Sequence, residues 1–171
     1  MIDLKDYIAA IPDFPKPGIL FRDITPLLQK PEAFKRAIDL FLQHIEDKEI
    51  EAIAAIDARG FLFAGPLALR LHVPLLPVRK KGKLPGPTIQ IEYDLEYGSN
   101  AIEMHCDSVL KGQRVLIIDD LLATGGTSAA AAKLIEKMAG VVVGLAFLIE
   151  IEGLGGRGRI GNYPITSLLR F

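Results

Sequence analysis

The run Val115-Leu116-Ile117-Ile118-Asp119-Asp120-Leu121-Leu122-Ala123-Thr124-Gly125-Gly126-Thr127-Ser128 constrains this chain more than any other segment. An apolar stretch with no polar face reads as a buried strand, spanning residues 114–119. Two adjacent acids close it. A loop of small residues follows, then an alanine-rich helix predicted from Gly125 to Met138 and ended by Gly140. Glycines in the loop let an anion approach the backbone. The first turn of the helix offers unsatisfied N–H groups and a positive dipole end, and Thr124, Thr127 and Ser128 add hydroxyl donors. The same small polar residues also suit an ordinary strand-to-helix connection with caps. The acids tip the balance, because two neighbouring carboxylates repel and are best tolerated where a cation or ligand donors compensate. A ligand carrying both a phosphate and a ring of hydroxyls is a sugar phosphate. The loop is not a Walker loop, since no Gly-Lys-Ser/Thr follows its glycines.

The rest of the chain alternates between strand and helix patterns. Leu4, Tyr7, Ile8 and Ile11 stand at helical spacing and predict a short N-terminal helix, which Pro12, Pro15 and Pro17 convert to an extended loop. Pro31 opens a helix whose apolar positions Phe34, Ala37, Ile38, Phe41, Leu42 and Ile45 keep the 3.6-residue period. Residues 50–56 read as a buried strand, 60–71 as a helix and 75–78 as a strand. Ile89, Ile91, Tyr93, Leu95 and Tyr97 alternate as in a half-exposed strand, which turns at Gly98-Ser99-Asn100 and returns through Ile102, Met104 and Cys106. A last long strand covers residues 141–149. This order predicts an open α/β sheet, parallel at its centre and flanked by helices, with an antiparallel flap. Such sheets bind ligands beyond the carboxyl ends of their strands. Asp57 and Arg59, Arg79 and Lys80, Asp119 and Asp120, and Glu150 all fall at predicted strand ends, so four ends are expected to converge. Gly153 to Gly158 matches Gly-x-Gly-x-x-Gly, but Gly161 and Pro164 forbid a long helix after it, and it reads as a flexible loop.

Composition narrows the partners. The chain has 171 residues, the length of one domain, with half of them apolar. A net charge of −1 gives no electrostatic case for nucleic acid. The apolar runs are too short and too interrupted for a membrane span, and nothing at the start resembles a signal peptide. One cysteine, Cys106, excludes an internal disulfide and fits a reducing cytoplasm. His44, His72 and His105 are scattered and are assigned to no metal or base.

Residues Val115 to Thr127 closely resemble the phosphoribosyl-diphosphate signature of type I phosphoribosyltransferases. Further segments are similar to the adenine-specific branch of that family: Phe14-Pro15-Lys16-Pro17-Gly18-Ile19-Leu20-Phe21-Arg22-Asp23, Asp57-Ala58-Arg59-Gly60-Phe61, Arg79-Lys80-Lys81-Gly82-Lys83-Leu84-Pro85 and Leu95-Glu96-Tyr97-Gly98. The resemblance runs through nearly the whole chain in order. It implies a single domain over 1–171, with the helix and base-recognising hood in 1–30 and a catalytic flap in 80–100. It also implies a reaction, the Mg²⁺-dependent joining of adenine to phosphoribosyl diphosphate to give AMP and diphosphate in purine salvage. By the same resemblance, Ala123, Thr124, Gly125, Gly126 and Thr127 hold the 5′-phosphate. Asp119 and Asp120 face the ribose and meet the metal indirectly, through ribose or water. Arg59, Lys80, Lys83, Tyr97 and Arg79 meet the diphosphate. Glu96, Arg59 and Lys80 carry the catalysis, and the Asp57–Ala58 peptide is expected to be cis. Ile19, Ile151 and the backbone of Phe21 and Arg22 read the base. A carbonyl accepting from the 6-amino group would favour adenine, because a 6-oxo group would leave two acceptors facing each other. A homodimer is expected, with Arg79 reaching across it. Ala58 stands where other members carry serine or glutamate, and Ile151 where leucine is also seen. Two other readings stay open: transfer to hypoxanthine or xanthine, and a non-catalytic regulator that senses phosphoribosyl diphosphate.

Overall fold

The structure is a computed structural model that describes residues 2–94 and 99–171. Contacts within the chain divide it into two compact units, Met1–Gln43 and His44–Phe171.

In the first unit a 3₁₀ turn, Leu4–Tyr7, starts at Asp3, whose carboxylate accepts from the Lys5 N–H at 2.9 Å. The expected N-terminal helix stops there. Ala9–Ile11 instead forms strand β1, antiparallel to β2, Phe21–Asp23. Pro12 leaves too few residues for a second helical turn, and pairing with the returning chain satisfies the backbone instead. Thus residues 9–23, expected as the end of a helix followed by a loop, are a two-stranded ribbon and its connection. Its connection is tied by the Asp13 carboxylate, which accepts from the Gly18 N–H at 2.7 Å, and carries a cis Phe14–Pro15 bond. A one-turn helix absent from the sequence reading, α1 (Thr25–Gln29), precedes the expected α2 (Pro31–Ile45). Ala33, Ala37, Ile38, Phe41 and Ile45 form the buried stripe of α2.

The second unit is built on a seven-stranded sheet. Its strands in chain order are β3 (Ala52–Ile56), β4 (Leu75–Lys80), β5 (Thr88–Asp94), β6 (Ser99–His105), β7 (Arg114–Leu122), β8 (Val141–Glu150) and β9 (Ile165–Arg170). Across the sheet the order is β5-β6-β4-β3-β7-β8-β9. The five strands from β4 to β9 are parallel, and β5 and β6 form the antiparallel extension expected of the flap. Every residue of β3 is buried, as a parallel strand covered on both faces must be. Ala52, Ala54, Ile56, Val115 and Ile117 share a core with Ala131, Leu134 and Ile135 of α4 (Gly126–Lys137). The alternate residues Ile53, Ala55, Leu116 and Ile118 are equally buried and point the opposite way, on the face that α3 (Gly60–Leu71) contacts. Among the described residues no helix is long and apolar enough to cross a membrane.

Two further expectations are corrected. β7 continues through Asp119 and Asp120 to Leu122, because those residues keep pairing with β8 up to Leu122 opposite Glu150. Residues 153–158 are not a free loop: positive φ at Gly153 and Gly155 turns the chain into a short helix, α5 (Gly156–Ile160). Strand β9 went unread because Ile165-Thr166-Ser167-Leu168-Leu169-Arg170 has no clean alternation.

The order of strands fixes where a ligand can bind. From β3 the chain goes through α3 to β4 on one side, and it later returns to place β7 on the other side of β3. The crevice opens at this switch point. It depends on Gly60, where a Cβ would stand 2.8 Å from the Ile118 carbonyl oxygen and 3.2 Å from Asp119 Cα. Gly60→Ala should therefore destabilise the fold by about 1–3 kcal/mol in urea unfolding. Gly65→Ala, in the same helix with open space around it, should be neutral or stabilise by up to about 1 kcal/mol. Equal effects would contradict the packing described.

Candidate functional site

Three strand ends and the flap meet at the switch point. A cleft of about 220 Å³ is lined by Asp57, Ala58 and Arg59 after β3, Lys80 at the end of β4, Tyr93 on β5, Asp119 and Asp120 on β7, and Thr127 on α4. The fourth expected end is elsewhere. Glu150 is held by Arg157 and lines a separate hollow with Ile151 and Gly156. Glu96 and Tyr97 lie outside the described residues.

The acids set the electrostatics. Burial pushes the Asp119 carboxyl well above the ordinary aspartate range, and the neighbouring Asp120 charge pushes it the same way. Burial also raises Asp120, against the pull of Arg59, whose Nε lies 2.8 Å from Asp120 Oδ2. Asp119 Oδ1 in turn accepts from the Asp120 N–H at 2.8 Å. The Asp57–Ala58 peptide that precedes Arg59 is cis.

The basic loop after β4 is fastened from two sides. Arg79 donates from Nε to Asp57 Oδ2 and from Nη1 to the Lys83 carbonyl, both at 3.0 Å. Glu103, buried on β6, accepts from the Lys83 and Leu84 N–H groups at 2.9 Å and from the Thr88 hydroxyl at 3.1 Å. Burial pushes the Glu103 carboxyl up, but these donors outweigh it and hold the group below its usual range. Lys80 and Lys83 remain exposed, Lys80 at the cleft.

The small-residue loop leads into α4 through Gly125, a left-handed N-cap (φ 77°) that supplies no side-chain acceptor to the first turn. Gly125 also has a packing reason that sequence alone did not show: a Cβ there would lie 2.5 Å from the Gly156 carbonyl oxygen. Two residues near this loop escaped the sequence reading. The Tyr93 hydroxyl hydrogen-bonds the Thr127 hydroxyl at 3.1 Å. The Arg159 guanidinium lies over Gly126, where a Cβ would come within 3.3 Å of its carbon. The alternation of Ile89, Ile91, Tyr93, Leu95 and Tyr97 places Tyr93 on an apolar strand face, and only its register aims it at the loop.

In the first unit, Ile19 is exposed, and its N–H and carbonyl close the turn to Lys16 and Phe14. Phe21 packs edge-on against Phe14 with ring centroids 5.1 Å apart, and Arg22 is half-buried on β2. Ile151, just past β8, is half-buried and donates its N–H to the Leu122 carbonyl at 2.9 Å.

Among the described residues no three histidines, cysteines or acids gather as a metal cage. Asp119 and Asp120 are nevertheless a donor set that fits Mg²⁺, which is usually held by one or two carboxylates and completes its shell with water and substrate oxygens.

An acid pair and a glycine-led helix start thus stand together at the switch point of a parallel sheet. The family model for the phosphoribosyl transferase domain matches residues 23–167. The adenine phosphoribosyltransferase of Caldanaerobacter subterraneus subsp. tengcongensis is 53% identical over 169 residues, 99% of this chain and 98% of its own. The crystal structure of adenine phosphoribosyltransferase from Thermoanaerobacter pseudethanolicus superposes with a TM-score of 0.96 at 52% identity, covering 98% of each chain. That of the Saccharomyces cerevisiae enzyme, complexed with adenine and an imino-altritol bisphosphate, gives 0.93 at 40% identity, covering 97% of this chain and 96% of that one. The chain belongs to the phosphoribosyltransferases of type I and, within them, to the adenine phosphoribosyltransferase family.

The acid pair predicts a pH-dependent stability. A carboxyl raised above its unfolded value near 3.9 adds stability that is complete below that value and is lost as pH rises through the folded value. Asp119→Asn keeps the Oδ1 acceptor and removes the charge. The variant should melt above the wild type at neutral pH, and the gap should close below about pH 4. A variant that melts lower at neutral pH would contradict the assignment.

Proposed function

We infer that this chain transfers the 5-phosphoribosyl group of phosphoribosyl diphosphate to adenine, giving AMP and diphosphate. The observation that carries this reading is full-length identity above 50% to adenine phosphoribosyltransferases, together with a cleft whose acids and cations suit that donor.

The 5′-phosphate binds the loop from Ala123 to Thr127, on backbone N–H groups of the first turn of α4 and the hydroxyls of Thr124 and Thr127. Asp119 and Asp120 accept hydrogen bonds from the ribose hydroxyls, which offset the burial cost the two acids carry in the free protein. Arg59, Lys80, Lys83 and Tyr97 take the diphosphate, and Arg79 holds the loop that presents the two lysines. Before substrate arrives Arg59 pairs with Asp120, so diphosphate competes with that carboxylate for the guanidinium. Mg²⁺, when bound through Asp119 and Asp120 by way of ribose or water, supplies positive charge for the departing diphosphate. The C1′–O bond to diphosphate breaks as the N9–C1′ bond forms, and the adenine N9 proton leaves. Glu96 accepts this proton or the hydrogen bond that precedes its loss. Stabilising charge on the leaving group is the main electrostatic task of such a dissociative step.

The resemblance of segment 13–26 supports Ile19 and the backbone of Phe21 and Arg22 as adenine-recognising, with Ile151 as a further apolar contact. Residues 1–171 serve as one catalytic domain of a cytoplasmic homodimer in purine salvage. A diphosphate-release assay with phosphoribosyl diphosphate, Mg²⁺ and a panel of bases tests this function. Adenine should turn over at least about 10⁴-fold faster than hypoxanthine, as for a site whose buried acceptor meets the wrong 6-substituent. Equal turnover of hypoxanthine, or no release with any purine, would overturn it. In the same assay Glu96→Ala should lower turnover by about 10²-fold or more, and a change within about threefold would remove Glu96 from the chemistry.

A further inference from the structure

The Gly-rich turn from Gly153 to Gly158 takes no part in the function above, yet its backbone packs closely against the phosphate loop. A Cβ on Gly156 would lie 2.2 Å from the Ala123 carbonyl oxygen and 2.8 Å from Leu122 Cδ1. In the other direction, a Cβ on Gly125 would meet the Gly156 carbonyl oxygen. The two glycine backbones interlock, with no room for a side chain on either. Three residues further along the same short helix, Arg159 covers Gly126.

This contact is anchored. Arg157 binds Glu150 with two parallel bonds, Nε to Oε1 and Nη2 to Oε2, each 2.6 Å. Its guanidinium also reaches the Ile165 carbonyl and the Ser167 hydroxyl on β9, both at 3.4 Å. Glu150 ends β8 and stands opposite Leu122, the residue before the phosphate loop begins. Bidentate pairs of this kind fix geometry as well as adding energy. Their effect is visible in Glu150, which the Arg157 hydrogen bonds hold below its usual range despite burial.

We propose that Gly156, Arg157 and Glu150 are positioning residues for the 5′-phosphate loop. The Glu150–Arg157 pair clamps the Gly155–Gly156 turn against Ala123 and Gly125, so the N–H groups of the loop are aimed before the ligand arrives. The loop needs an outside support because its own residues are too small to pack themselves in place. Preorganised donors bind an anion without the cost of ordering them on arrival. The proposal rests on the assignment of the 5′-phosphate to residues 123–127.

Calorimetric binding of two probes, ribose 5-phosphate and inorganic diphosphate with Mg²⁺, separates positioning from general loosening. Gly156→Ala should weaken ribose 5-phosphate by about tenfold or more, about 1.4 kcal/mol, and leave diphosphate within about twofold. Arg157→Ala should act in the same direction, and Arg157→Lys should recover part of the loss. The Arg157 side chain is 38% exposed, so its variants decide the matter should Gly156→Ala fail to fold. Wild-type affinity for ribose 5-phosphate in the folded variants would overturn the proposal, as would an equal loss of both ligands. Thr127→Val serves as the reference. If it alone loses ribose 5-phosphate, the loop assignment stands and the clamp falls; if neither it nor Gly156→Ala does, both fall.

Discussion

Two adjacent carboxylates in a buried parallel strand are costly, and the neighbourhood of Asp119 and Asp120 is organised around that cost. Burial raises both groups and the Asp120 charge raises Asp119 further, while Arg59 pulls against both and pairs with Asp120. Arg59 arrives there because α3 can begin directly against β7, which requires Gly60 to lack a side chain. The ion pair and the close approach are therefore one device. They join the end of β3 to the end of β7 at the point where the strand order reverses. In the proposed function, ribose hydroxyls and a hard cation supply further compensation for the same pair.

Around this centre the other strand ends divide the work. The β4 end contributes cations, held in a fixed loop by Arg79 and by the buried Glu103 carboxylate. The β7–α4 connection contributes a helix start with no side-chain acceptor of its own. Glu150, at the β8 end, is not part of the cleft lining and instead holds Arg157, next to the Gly156 turn that packs against residues 123–125. Charge at a strand end thus serves either binding or bracing, and only the partner decides which.

The sheet was largely legible in the sequence because its strands are buried on both faces and its helices have clear ends. The helix over 60–71 follows directly from the apolar run that starts at Gly60, and the strand expected over 50–56 forms over 52–56. Reading failed where local pattern is overruled by distant partners. Residues 9–11 look helical until β2 pairs with them. Residues 153–158 look like a flexible loop until Glu150 grips Arg157. The hydroxyl contact of Tyr93 with Thr127 depends on a register that an alternating apolar strand does not reveal. The acid pair stands out by its place at a strand end, Arg59 and Lys80 gain their roles from the resemblance, and the cleft brings all of them together.

The proposed function gives the site a polarity, with ribose and 5′-phosphate on the β7–α4 side and diphosphate on the side of Arg59 and Lys80. A crystal structure of the chain with phosphoribosyl diphosphate and Mg²⁺ measures it directly. The 5′-phosphate should lie on the backbone N–H groups of residues 124–127, with the ribose hydroxyls on Asp119 and Asp120. A diphosphate seated in that loop, with the 5′-phosphate at Arg59 and Lys80, would contradict it.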